Sequence, residues 1–214
     1  MAKIIYNKFD KKQISKLPNV AFAGETIVVV SKNETRKAVD FLLRQPLLGV
    51  DTETRPSFKK GKQNTVSLLQ VATKNICFLF RLNFIGLSPD IIRFLEDTTV
   101  PKVGLSLHDD VLSLHKKGEF KPGLFIDLQD HMNELGIEDK SLQKLFANLF
   151  GKKISKTQQL SNWEADVLSE KQKSYAATDA WACVMLYEEY LRLKNSDDFI
   201  LEIVDEPEII DSQE

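Results

Sequence analysis

The sequence predicts an α/β fold, a mixed β-sheet flanked by helices on both faces. Three observations carry that expectation. Strand-like segments near 47–54, 66–71 and 76–80 follow one another with short links, as in an antiparallel meander. Strand and helix patterns then alternate between about 88 and 127. From Ser141 onward the pattern is helical and ends in a long helix from about Glu170 to Leu193. At 214 residues, 43% hydrophobic and 28% charged, the chain has material for one core and the composition of a soluble globular protein.

The first ~20 residues are basic and weakly patterned, which predicts a short helix and a connector. Thr26-Ile27-Val28-Val29-Val30 is β-branched and reads as a strand. Asn33-Glu34-Thr35-Arg36 opens a helix, with Asn33 as its N-cap, an apolar stripe of Ala38, Phe41 and Leu42, and Pro46 closing it. Leu47–Thr54 is the next strand; Val66–Val71 and Ile76–Phe80 follow, joined by a turn near Lys74-Asn75. Ser88-Pro89-Asp90 begins a helix with proline at its first position. Lys102–Leu105 is a short strand, the helix after it carries Asp109 and Asp110, and Leu124–Asp127 is another short strand. The expected divisions are an N-terminal extension over 1–25, one domain over 26–195, and an acidic tail over 196–214.

Charge is unevenly spread. The net charge is −2, yet Ser196 to Glu214 holds eight carboxylates and no Lys or Arg, so the rest of the chain is net positive. No run approaches the ~20 apolar residues of a membrane helix. The start, Met1 to Lys8, lacks the apolar core of a secretion signal. Cys77 and Cys183 lie in apolar segments without ligand spacing and are expected reduced and buried. These points predict a cytoplasmic protein (nuclear in a eukaryote) with no membrane association.

The chemistry-bearing stretch is Leu47-Leu48-Gly49-Val50-Asp51-Thr52-Glu53-Thr54. Strand alternation puts Asp51 and Glu53 on one face and Thr52 on the other. Two carboxylates at a buried strand end repel each other and lose hydration, so they need a compensating cation, and metal ligation is the economical reading. Near the C-terminus, Tyr175-Ala176-Ala177-Thr178-Asp179 places a phenol and a carboxylate one helical turn apart, with small residues that let the helix lie close to a sheet. Between them, Leu107, Val111 and Leu114 form an apolar stripe flanked by Asp110, while Asp109 points away. Asp110 is therefore the acid able to reach an inner site, although two surface acids in a first helical turn would give the same pattern.

In order and approximate spacing, Asp51-x-Glu53, Asp110 after Lys102-Val103-Gly104, and Tyr175-x-x-x-Asp179 resemble the three motifs of the DEDD 3′–5′ exonucleases. The likeness spans about Thr26 to Leu193. Val66–Gln70 resembles the family's second strand. Lys156 to Trp163 and Leu168 to Gln172 resemble the segment before its third motif. Tyr175 identifies the DEDDy branch. A catalytic histidine would stand at Ser174, and none of His108, His115 or His131 is placed to substitute. The wording around the third motif is similar to that of the Werner-syndrome helicase exonuclease domain and, more distantly, ribonuclease D. Neither a helicase part nor a C-terminal helical RNA-binding domain is expected here.

The resemblance implies a ribonuclease H-like sheet and hydrolysis of phosphodiester bonds from the 3′ end of DNA, releasing nucleoside 5′-monophosphates with two Mg²⁺ or Mn²⁺ ions. Asp51, Glu53, Asp110 and Asp179 would be the ligands, with Asp51 shared between the ions and Tyr175 orienting the attacking water. A free tyrosine pKa of ~10 makes it a poor base alone. Nucleic-acid contacts are expected from Arg55, Phe58, Lys59, Lys60 and Lys62 just after the acidic strand, and from a second basic cluster of Lys152, Lys153 and Lys156. Each cluster could equally be a solvated loop. Trp163 is expected to pack rather than to stack on a base. The alternatives are an exoribonuclease of the ribonuclease D type and a non-catalytic nucleic-acid-binding scaffold, against which stands the presence of every motif acid. Expected partners are nucleic acid, DNA before RNA, and a helicase or repair protein acting in trans. The acidic tail is expected to be disordered, or to compete with nucleic acid for the basic body.

Overall fold

A computed structural model describes residues 2–57, 61 and 64–204. Its elements are β1 (Lys3–Tyr6), α1 (Lys11–Ile14), β2 (Glu25–Val29), α2 (Lys32–Leu42), β3 (Leu48–Thr54), β4 (Val66–Ala72), β5 (Ile76–Phe80), α3 (Leu82–Ile85), α4 (Pro89–Glu96), β6 (Lys102–Gly104), α5 (Leu107–His115), β7 (Phe125–Asp127), α6 (Leu128–Glu134), α7 (Leu142–Phe150), α8 (Glu170–Ser196) and β8 (Phe199–Glu202). Six strands form one mixed sheet in the order β2-β5-β4-β3-β6-β7. β3, β4 and β5 are the expected antiparallel meander; β2 joins β5, β6 joins β3 and β7 joins β6, all in parallel.

Alternation along the central strands divides the core. Val50, Leu69, Val71, Phe78 and Phe80 face one way and pack with residues of α2 and α4. Leu68, Ala72, Cys77 and Leu79 face the other way, under Ala176, Ala177 and Ala180 of α8. The sheet is thus covered on both faces, as the buried run of β4 requires. Cys77 and Cys183 are buried and unbridged. No helix among the described residues is long and apolar enough to cross a membrane.

Helix α8 lies unusually close to β3. A Cβ on Gly49 would sit 1.9 Å from the Ala180 carbonyl oxygen, so only glycine permits this approach. The fully buried alanines of α8 complete the fit. Gly49 shares its face with Asp51 and Glu53, and the same packing therefore sets the acids against α8.

Several local expectations change. The N-cap of α2 is Ser31, not Asn33: Ser31 and Glu34 form a reciprocal capping box. The helical pattern from Ser141 is interrupted, because α7 ends at Gly151 in the left-handed region (φ 61°) and 152–169 is built of turns and extended chain. Helices α3 and α6 were not anticipated. The two chain ends also meet. β1 pairs in parallel with β8, Lys3 opposite Phe199 and Tyr6 opposite Glu202, and Ile5 is fully buried. The first 25 residues are therefore more than a helix and connector, and the start of the acidic segment is a strand; 205–214 lie outside the described residues.

Gly49→Ala is expected to destabilise the protein by about 3 kcal/mol, because backbone rather than a flexible side chain blocks the new methyl. Gly118→Ala, whose Cβ meets only Leu87 at 3.4 Å, is the control and should change stability little. Urea unfolding of both variants measures the difference; equal midpoints would remove the close-approach argument.

Candidate active site

The end of β3 presents Asp51 and Glu53 toward α8, and α8 answers with Tyr175 and Asp179 one turn apart, both buried. Asp51, Glu53 and Asp179 each bring a carboxylate oxygen to within 4.8 Å of the others. The Tyr175 phenol lies beside Asp179 and favours the ionised form of that carboxylate. Gln70 faces Asp51 across the β3–β4 pair, fully buried, and its amide has no partner among the described residues.

Asp110 arrives by a different route. Its carboxylate accepts a 2.5 Å hydrogen bond from the Thr52 hydroxyl, on the strand face opposite Asp51, while Asp109 is exposed. The start of α5 is fixed by Asp127 at the end of β7. That carboxylate accepts from the backbone N–H groups of Ser106 (3.1 Å), Leu107 (2.8 Å) and Gln129 (2.9 Å). Ser106 lies in the left-handed region (φ 60°), which is strained for a non-glycine residue, and its hydroxyl accepts from the Gln129 amide at 2.7 Å. One carboxylate thus clamps the starts of both α5 and α6.

The electrostatics follow from crowding. Burial first, then Asp110, Asp179 and Glu53, push Asp51 well above the usual carboxylate range. Burial with Asp179 and Asp110 raises Glu53 to about 9. Burial raises Asp179 to about 7 against the neighbouring Tyr175 phenol and the nearby Lys156 charge. Burial raises Asp110 to about 6 against the Thr52 bond, with Asp109 and Asp127 adding repulsion. Burial and the surrounding carboxylates also push the Tyr175 phenol up, which keeps it protonated.

Asp51, Glu53 and Asp179 line a cleft of about 380 Å³ together with Tyr175, Lys140, Gln143 and Lys156, whereas Asp110 borders a separate hollow with Thr52. Lys156 donates to the Ser141 hydroxyl at 3.2 Å. Arg55, read from sequence as a phosphate contact, pairs with Glu164 at 3.2 Å. Lys153 turns toward the N-terminal segment, its ammonium 2.6 Å from the Ser15 carbonyl oxygen. Lys152 is exposed. Phe58, Lys59, Lys60 and Lys62 lie outside the described residues. Trp163 is fully buried against Tyr175 and Leu168, in accord with a packing role. His115 stacks on Phe120 and His131 on Tyr190, with ring centroids 4.2 and 4.7 Å apart.

Sequence reasoning missed Thr52, Asp127, Arg81 and Lys140. Arg81 is buried; it donates to the Ala165 carbonyl and holds the segment that carries Trp163. Asp127 had a readable signal, an acid ending a strand immediately before a helix. Thr52 had none beyond its position between two acids.

A family model described as 3′–5′ exonuclease matches residues 27–194. The mouse bifunctional 3′–5′ exonuclease/ATP-dependent helicase WRN is 32% identical over 148 residues, covering 66% of this chain and 11% of that protein. An Arabidopsis thaliana 3′–5′ exonuclease is 34% identical over 146 residues, covering 65% of this chain and 51% of that one. The chain thus spans at most about half the length of these two relatives. Among solved structures, Trypanosoma brucei RNase D in complex with RNA U12 superposes with a TM-score of 0.70 at 20% identity, over 79% of this chain and 63% of that one, a likeness of fold.

The raised carboxylates make the protein's stability depend on pH. An acid whose folded-state pKa is raised holds its proton more tightly folded than unfolded, so stability is lost as pH climbs from the unfolded value to the folded one. For Glu53 that window runs from 4.5 to about 9. In chelator, Tm is expected to fall by on the order of 5 °C from about pH 5 to about pH 9, and saturating Mn²⁺ should remove most of the fall. A flat or rising Tm in chelator would contradict this electrostatic account.

Proposed function

Since the chain belongs to the 3′–5′ exonuclease family, we propose that it hydrolyses phosphodiester bonds from the 3′ end of DNA, releasing nucleoside 5′-monophosphates. The observation that carries the proposal is the convergence of Asp51, Glu53 and Asp179 beside Tyr175, with Asp110 held at Thr52. The carboxylates are hard oxygen donors, and their crowding leaves excess negative charge; that donor set fits Mg²⁺ or Mn²⁺. Asp51, Glu53 and Asp179 would hold one ion, and Asp110 with Asp51 a second. When bound, such ions neutralise the carboxylates, lower the pKa of the attacking water and stabilise the leaving 3′ oxygen.

The chain's own residues then have distinct tasks. β3 and α8 fix the acids rigidly, so the donor positions exist before substrate arrives. Tyr175, protonated and beside Asp179, would orient the attacking water rather than deprotonate it. Lys156 and Lys140 would add positive charge for a substrate phosphate in the cleft they share with Asp51, Glu53 and Asp179. The 32–34% identities to proteins named 3′–5′ exonucleases support this reading. The fold shared with an RNase D bound to RNA favours an exoribonuclease as the second reading. A non-catalytic scaffold is disfavoured because all four acids and the tyrosine are present and assembled.

The decisive experiment incubates 5′-labelled single-stranded DNA, recessed duplex and RNA with Mg²⁺ or Mn²⁺. DNA is expected to shorten from its 3′ end. Shortening of RNA alone would favour the second reading, and no shortening with either metal would remove the enzymatic one. Asp51→Ala and Asp179→Ala should each lower kcat by on the order of 10³-fold or more with folding intact. Asp110→Asn should be similarly impaired and Asp109→Asn nearly unaffected; the reverse result would reassign the second motif's acid.

A further inference from the structure

The family match begins at residue 27, yet residues before it line a hollow beside the cleft. Pro18 to Val20 runs beside Lys153. The Lys153 N–H donates to the Pro18 carbonyl, the Val20 N–H to the Lys153 carbonyl, each at 3.0 Å, and the Lys153 ammonium binds the Ser15 carbonyl. Phe22 then lands on α8, its N–H donating to the Thr178 hydroxyl at 3.0 Å. Val20 and Ala21 wall a second hollow of about 520 Å³ that shares Ser155 and Tyr175 with the catalytic cleft. The two hollows thus meet at Ser155 and Tyr175, and the N-terminal segment forms one bank of the second.

This bank is basic. Lys11, Lys12, Lys16 and Lys152 are exposed, and none has an acidic side-chain partner among the described residues. The nearby acids are engaged: Asp10 caps α1 by accepting from the Lys12 N–H, and Glu170 pairs with Lys173 at 2.7 Å. Buried Ile5 and Ile14 anchor the segment, and Asn148 of α7 binds both the N–H and the carbonyl of Tyr6. The lysines therefore stand on a fixed support, and Lys153, bound to the Ser15 carbonyl, acts as its staple.

We propose that Lys11, Lys12, Lys16 and Lys152 form a second nucleic-acid-binding surface, which grips the phosphodiester backbone of a single strand upstream of the 3′ end held in the cleft. The inference rests on the exonuclease reading for the placement of that end. The ligand class follows from the charge: exposed ammonium groups without acidic partners bind a polyanion through its phosphates, without reading its bases, and release counterions on binding.

The test compares the wild type with the triple variant Lys11→Gln, Lys12→Gln, Lys16→Gln. Steady-state cleavage is measured on oligothymidylates of about 20 and about 4 nucleotides, between about 50 and about 200 mM salt. The expected result is a KM for the long substrate raised roughly 5- to 10-fold and a slope of log KM against log salt reduced by about 2, with kcat and the short-substrate KM unchanged. An unchanged long-substrate KM, or an equal rise on both lengths, overturns the proposal. Fluorescence anisotropy of the long oligomer is read alongside. If the wild type cleaves nothing, the exonuclease reading fails, and the surface stands or falls on whether the triple variant binds that oligomer more weakly at low salt. Circular dichroism confirms that the substitutions, all exposed, leave the fold intact.

Discussion

Like-charge repulsion among desolvated carboxylates is the constraint around which this structure is arranged. Asp51, Glu53 and Asp179 stand close enough to share one cation, and each is held in a protein environment that disfavours its ionised form. Left to themselves such side chains would turn toward water. They cannot, because the elements carrying them are fixed by packing that has nothing to do with charge. β3 lies between β4 and β6 in the sheet, and α8 is pressed onto it through Gly49 and a row of buried alanines. The apolar core thus offsets an electrostatic cost at the site, and it keeps the acids poised for a cation.

Asp110 is positioned by different means, and the difference has a physical reason. It belongs to α5, which packs against the opposite sheet face from α8. No apolar packing of the α8 kind can carry its carboxylate around the strand end. Polar groups do so instead: the Thr52 hydroxyl receives it, and Asp127 ties down the first N–H groups of the helix, compensating the left-handed Ser106. An acid accepting three backbone N–H bonds satisfies donors that the starts of two helices would otherwise leave open.

The local patterns of the sequence were enough to group most of the acids that converge in the candidate site. Alternation in β3 placed Asp51 and Glu53 together; helical spacing did the same for Tyr175 and Asp179, and the apolar stripe of α5 distinguished Asp110 from Asp109. These are short-range geometries fixed by backbone periodicity. What escaped notice was non-local or side-chain-driven. β1 and β8 pair across nearly the whole chain, and a four-residue strand gives no hint of a partner that distant. The direction of Lys153 depends on the Ser15 carbonyl, and that of Arg55 on Glu164. A basic run in sequence says nothing of which ammonium groups are already engaged. The N-cap of α2 is a different case, because Ser31-Lys32-Asn33-Glu34 contains its capping box in plain view.

The irregular segment 152–169 joins these themes. It forms no strand of the sheet and no long helix, and its order comes from side chains that capture its backbone. Arg81 takes the Ala165 carbonyl, Gln172 the Asn162 carbonyl, Gln143 the Ile154 carbonyl, and Trp163 fills the core below. Held this way, the segment can present different side chains in different directions within a few residues. Lys153 turns toward the N-terminal bank, Ser155 borders both hollows, and Lys156 lines the cleft with Asp51, Glu53 and Asp179. A regular helix would distribute those directions by its fixed turn. Turns anchored by buried donors release that restriction, and so one short stretch can form the wall of a charged cleft and the seat of a basic surface beside it.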